Sequence, residues 1–223
     1  MTHLETELFN LRLELNEMWA LVISQVKESR EALLNFDKEA AAEILFKEKM
    51  VDVFELKLDR DCENIIALYN PVASDLRLTI AIIKIVLNLE RIADFAKGIA
   101  KFIAKSPRDS INSELLKISH AEELLTSALA MLTDAKTALD NENSRMAVSI
   151  FAKDSLIDEI TNTSNKVIAA YILQNPGEID EALNMHSIIR KIERMGDHCI
   201  NIAEEIVFYI EAKVLKHNKA ARK

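Results

Sequence analysis

Four pairs of acidic residues stand four places apart at related points of the chain: Glu48/Asp52, Glu90/Asp94, Asp154/Asp158 and Glu193/Asp197. On a helix, residues four apart share a face, with Cβ atoms about 5–6 Å apart. Two carboxylates held so repel each other and destabilise the helix by a few tenths of a kcal/mol. A hard cation reverses that sign, because carboxylate oxygens are its preferred ligands. Cation coordination is therefore the chemistry these pairs could do. A solvated acidic face is the alternative: with 36 acidic residues, chance alone supplies about six such pairs. Two features favour the cation. All four pairs fall at duplicated positions, and Glu90/Asp94 continues the row of Ile83 and Leu87 inside the apolar stretch 78–103, where an unpaired charge is costly.

Around the last pair a polar row runs His186, Arg190, Glu193, Asp197, Asn201, Glu204, opposite an apolar seam of Ile189, Ile192, Met195, Cys199, Ile202 and Ile206. Arg91 and Arg194 follow the glutamates by about 100° around the helix, so they are not expected to neutralise the same face. A partner across the bundle, a phosphate or a protein acid are their alternatives. Ala93 and Gly196 precede the aspartates, where a small residue allows close helix approach. Cys199, although next to His198, reads as core. No Glu-x-x-His occurs, which argues against a ferritin-like di-iron oxidase. No nucleophile with a plausible base emerges, and the chain reads as non-enzymatic.

These residues must be positioned by long helices. Turn signals at Asn35-Phe36-Asp37, Asn70-Pro71, Ser106-Pro107, Asp140-Asn141-Glu142-Asn143 and Asn175-Pro176-Gly177 leave six of them, near 3–35, 38–70, 73–105, 110–140, 144–175 and 178–216. Each is roughly 45 Å long at about 1.5 Å per residue, and short turns make neighbours antiparallel. A shift of 106 places lays Asn35, Ala41, Ile44, Lys47 and Asp52 on Asn141, Ala147, Ile150, Lys153 and Asp158; after the Asn-Pro turn a shift of 103 lays Glu90-Arg91-Ile92-Ala93-Asp94 on Glu193-Arg194-Met195-Gly196-Asp197. The fold expected is all-α: two similar antiparallel three-helix bundles, 1–107 and 108–223.

Composition agrees. Three glycines and three prolines in 223 residues exclude a P-loop and a dinucleotide-binding fingerprint. A net charge of −8 gives little support to nucleic-acid binding. The basic run Lys213, Lys216, Lys219, Arg222, Lys223 reads as a solvated helix end. Two cysteines suit a reducing compartment, the N-terminus does not read as a signal peptide, and the longest uncharged run, Val167 to Gly177, is too short to span a membrane. A soluble cytoplasmic protein is expected.

The residues resemble the PhoU family of helical regulators of bacterial phosphate uptake. Pro71-Val72-Ala73-Ser74-Asp75-Leu76-Arg77 is similar to that family's P-x-A-x-D-L-R segment. The run from Glu193 through Gly196, Asp197, His198 and Asn201 to Glu204 is similar to its E-R-x-G-D-H-x-x-N-I-A-E signature, and Glu90 to Asp94 is the same motif in the first copy. The resemblance implies divalent or multinuclear metal, iron or zinc first and magnesium or manganese next, on Glu48, Asp52, Glu90, Asp94, Asp154, Asp158, Glu193 and Asp197. Asn201, Arg91, Arg194, Asp75 and Arg77 would be supporting or partner-contact groups. It further implies a homodimer at the cytoplasmic side of the inner membrane, restraining a phosphate ABC transporter ATPase and a phosphate-sensing histidine kinase. Three departures stand out: Gly98 where the second copy has Asn201, Ala93 where the signature has glycine, and Gly177-Glu178-Ile179-Asp180 after the second Asn-Pro turn.

Overall fold

A computed structural model describes residues 2–215. It contains α1 (His3–Asn35), α2 (Lys38–Tyr69), α3 (Ala73–Lys105), α4 (Ser113–Ile118), α5 (Ala121–Asp140), α6 (Ser144–Gln174) and α7 (Ile179–Glu211), with a 3-10 turn at Pro176–Glu178 before the last. No strand occurs among the described residues. Among the described residues, no helix is long and apolar enough to cross a membrane.

Helix starts follow the cap residues. Thr2 and Glu5 form a reciprocal capping box on α1, and Asp37 accepts from the amides of Glu39 and Ala40. Asn112 and Asn143 do the same for α4 and α6. The expected helix over 110–140 is instead two. Ser119 turns its hydroxyl back to the Leu116 carbonyl, and His120 takes a left-handed conformation (φ 51°), which ends α4 before α5 begins at Ala121. The last helix stops at Glu211, before a left-handed Ala212, rather than at 216. Lys213 pairs with Glu211 at 2.7 Å; Lys216, Lys219, Arg222 and Lys223 lie outside the described residues.

Helices α1, α2 and α3 pack on one another, and so do α5, α6 and α7. The two sets meet along α3 against α7 and α1 against α5. One continuous apolar core runs through both. Its seam on α3 (Leu78, Ile82, Ile85, Leu89, Ile92, Ala96, Ile99, Ile103) alternates spacings of four and three, the pattern that keeps one stripe facing inward. Each fully buried Leu or Ile contributes about 1.5–3 kcal/mol, so the few tenths lost to adjacent acids cannot unmake these helices.

The duplication extends to individual contacts. Lys47 of α2 pairs with Glu28 of α1 at 2.7 Å, and at the same offset Lys153 of α6 pairs with Asp134 of α5. Along α3 and α7, Phe95 meets its own counterpart His198 with ring centroids 5.6 Å apart, which places this pair at the symmetry centre. Asn88 contacts Asn201, while their counterparts Lys191 and Gly98 also meet: a Cβ on Gly98 would stand 2.7 Å from the Lys191 Cε. Glycine at position 98 thus makes room for a lysine stem from the other half.

Two braces between the halves had no sequence signal. The Trp19 indole of α1, fully buried, donates to the Leu132 carbonyl of α5 at 3.2 Å. At the far end Arg12 reaches Glu142 at 2.9 Å and the Tyr209 hydroxyl at 2.7 Å, and that hydroxyl donates to Glu142 at 2.6 Å.

Candidate functional site

The eight carboxylates lie on the facing sides of α2 and α3 in one half, and of α6 and α7 in the other. They do not form a finished cage: no three of the Asp, Glu, His or Cys side chains among the described residues converge as a ready set of metal ligands. What the structure does show is carboxylates crowded against one another, and differently in each half.

In the first half Glu90 is nearly buried, and its Oε2 has no hydrogen bond. Burial first, and then the Asp94 charge with smaller contributions from Glu55 and Asp52, pushes its pKa up to about 7. Glu55 was missed in the sequence, although it stands three places after Asp52; its pKa is raised by burial and by Asp59 and Asp52. Two cations sit among these acids. The Lys97 ammonium lies 2.5 Å from Glu48 Oε1 and 3.5 Å from Asp94 Oδ1. Arg91 bends back along its own helix to Glu90 at 3.3 Å and Asp94 at 3.7 Å, contrary to the expectation that it could not serve that face. Its long stem covers the 100° that a Cα-based view treats as prohibitive.

In the second half Glu193 Oε2 is likewise buried without a hydrogen bond. Burial raises the pKa of Glu193, with Asp197 and Asp158 adding to it and Arg190 opposing. Asp197 is raised by burial and by Asp158. Arg190, rather than Arg194, lies nearest Glu193, at 3.4 Å. Asp154 comes against the backbone of α7: a Cβ on Gly196 would stand 2.8 Å from its Oδ1 and 3.2 Å from Ile157 Cδ1. The glycine therefore admits a carboxylate as well as a helix. Ala93 carries that Cβ in the first half.

Both halves contribute to an open groove of about 730 Å³ lined by Arg91, Asp94, Phe95, Asp154, Arg194, Asp197, His198, Ile200 and Asn201. Asn88 holds two of its lining side chains, His198 and Asn201. Its Nδ2 donates to the Lys84 carbonyl at 2.7 Å, so its Oδ1 accepts from Asn201 Nδ2 at 3.3 Å and from His198 Nδ1 at 2.7 Å. Burial, then Arg91 and Arg194, lowers the His198 pKa, and the contact with Asn88 Oδ1, an acceptor, puts a proton on Nδ1. The sequence reading missed Asn88 and His198; only their contact across the halves reveals them. Asp75 and Arg77 stand apart, more than a dozen residues, or roughly 20 Å, along α3 from Glu90. Arg77 Nε donates to the Tyr209 carbonyl at 3.2 Å and so braces the end of α7. Cys62 and Cys199 are fully buried core thiols, and burial pushes the pKa of both up.

The second half fits a divalent cation on the chemistry of its donors. It offers a buried Glu193 oxygen without a hydrogen bond, mutually repelling carboxylates on Asp158 and Asp197, and a cradle kept open at Gly196. Glu193, Asp197, Asp158 and Asp154 would hold the ion, which would supply charge neutralisation there.

Fold and carboxylate faces together define a class: duplicated three-helix bundles with E/D-x-x-x-D faces. The family model for the PhoU domain matches residues 15–103 and again 121–206, and the chain belongs to this family. A Pseudomonas aeruginosa relative, a "Phosphate-specific transport system accessory protein PhoU homolog", is 30% identical and the match covers 97% of this chain and 91% of that one. The Escherichia coli protein named "Phosphate-specific transport system accessory protein PhoU" is 29% identical over 95% of this chain and 86% of its own. Among solved structures, PhoU from Pseudomonas aeruginosa superposes with a TM-score of 0.85 at 29% identity, covering 94% of this chain and 99% of that one. The phosphate transport system regulatory protein PhoU from Streptococcus pneumoniae gives 0.84 at 27%, covering 95% and 99%.

Proposed function

We propose that this chain is a non-enzymatic regulator of phosphate uptake. It works as a cytoplasmic homodimer, docked at the inner membrane on the ATPase of a phosphate ABC transporter and on a phosphate-sensing histidine kinase, and holds both in check when phosphate is plentiful. The observation that carries the reading is the match of both halves to the PhoU domain, with relatives named as accessory proteins of the phosphate-specific transport system. Restraint by contact needs rigid, specific faces. Divalent metal (iron or zinc, with magnesium or manganese as the harder alternatives) would stiffen them by cancelling carboxylate repulsion, and the buried Glu193 Oε2 without a hydrogen bond supports that role.

A metal-free adaptor, whose acidic faces meet Arg and Lys of a partner, is the second reading. The lack of a preassembled ligand set among the described residues favours it. Vesicles carrying the transporter separate the two. The chain should slow ATP-driven phosphate entry, and the slowing should fade on chelation if metal shapes the docking face. Slowing that survives chelation favours the adaptor, and uptake indifferent to the chain contradicts both.

A further inference from the structure

The two halves differ at one position beside the carboxylates: Lys97 in the first and Ile200 in the second. We infer that Lys97 is the resident cation of the first half, taking with its ammonium the place a metal would hold, so that metal is confined to the second half. The inference rests on the metal reading above.

Counting acids would give the opposite answer. The first half is the more acidic, with Glu55 and Asp59 where the second has Thr161 and Asn165. Position decides instead. Lys97 Nζ lies 2.5 Å from Oε1 of Glu48, a side chain only 6% exposed, and 3.5 Å from Oδ1 of Asp94. It thereby bridges one expected ligand from α2 and one from α3. A charge-assisted bond to a carboxylate this buried is strong, and removing the ammonium would leave Glu48 buried and unpaired. A divalent ion entering here must displace the ammonium and then remain beside it, a like-charge contact in a partly desolvated site. Arg91 adds a second cation on Glu90 and Asp94.

The counterparts of Glu48, Asp94 and Lys97 are Asp154, Asp197 and Ile200. Isoleucine brings no charge; Asp197 feels the repulsion of Asp158, opposed by Arg190 and Arg194, and Arg190 lies 3.4 Å from Glu193. Gly196 opens the cradle for Asp154 on this side, whereas Ala93 fills the equivalent space on the other. At the position that decides, an ammonium bridges two expected ligands in the first half, and isoleucine stands in its place in the second.

The test counts Mn²⁺ bound to the metal-free full chain by the EPR signal of the free ion, with thermal unfolding as a second readout. In the unchanged chain, Asp158→Asn/Asp197→Asn should abolish binding, and Asp52→Asn/Asp94→Asn should leave the count as it was. Lys97→Met keeps the aliphatic stem and should roughly double the count, with the gained ions lost again on adding Asp94→Asn. Without metal this variant should melt below the unchanged chain, and Mn²⁺ should recover the loss. Ile200→Lys should lower the count. Equal sensitivity of the unchanged chain to the first-half and second-half substitutions would overturn the proposal, as would a folded Lys97→Met that gains no ions. Should the unchanged chain bind none while Lys97→Met does, the metal reading of the second half falls and the role of Lys97 stands.

Discussion

Asp154 reaches the backbone of α7 because residue 196 is glycine: its Oδ1 lies 2.8 Å from where a Cβ on Gly196 would stand. Gly196→Ala therefore sets two effects against each other. Alanine favours the helix by about 1 kcal/mol, while the new methyl must push aside Asp154 and press on Ile157 at 3.2 Å. Stability should stay nearly unchanged, within about 4 °C in Tm, while the rise in Tm produced by metal should shrink clearly. An unaltered metal response would show that Asp154 does not need this approach.

Metal itself should stabilise the native chain. At a hundredfold excess over Kd a ligand specific for the folded state adds about 2.7 kcal/mol, which for a chain of this size is roughly 5–10 °C in Tm. Scanning calorimetry with and without chelator reads this directly. Asp158→Asn/Asp197→Asn should abolish the shift.

The crowded carboxylates give stability a pH signature. Burial and Asp94 raise the Glu90 pKa from 4.5 to about 7, and Glu193 and Asp197 are raised as well. Between those values the native state binds a proton that the unfolded chain has released, so this contribution is present at pH 4.5 and is lost as pH rises to about 7. Without metal, Glu90→Gln should flatten that fall and melt a few degrees above the unchanged chain at pH 7.5. The difference between the two proteins, followed from pH 5 to 8, isolates Glu90 from the lowered Glu28 and Glu142, whose contributions run the other way.

The braces predict that the halves unfold together. Arg12, Tyr209 and Glu142 form a closed network across α1, the α5–α6 turn and α7, and Trp19 ties α1 to α5. Arg12→Ala should cost about 1 kcal/mol, hence roughly 2–4 °C in Tm. Fluorescence of the single, fully buried Trp19 should follow the same transition as far-UV circular dichroism. Separate transitions would mean that the interface between halves is weaker than its packing indicates.

Much of this architecture is legible in the sequence, because turn residues and apolar periodicity are local. Asp37, Asn143 and the Asn-Pro breaks mark helix ends, and the offset that pairs Lys47 with Lys153 carries over to matching ion pairs. The carboxylate rows are legible for the same reason, since four residues along a helix fix a face. Contacts between helices are less so. Lys97 is one more charge on a charged helix until α2 brings Glu48 to it, and Arg91 reaches its own row through stem length rather than Cα angle. The break at Ser119-His120 carries neither proline nor glycine, and it shows only in the left-handed backbone of His120.

The central claim, restraint of phosphate uptake and of the starvation response, is tested most directly in cells of the native host lacking this chain. Expression from a phosphate-starvation promoter is measured in medium rich in phosphate. The account predicts high expression without the chain and return to a low level when it is supplied again. Expression that stays low in its absence would contradict the account.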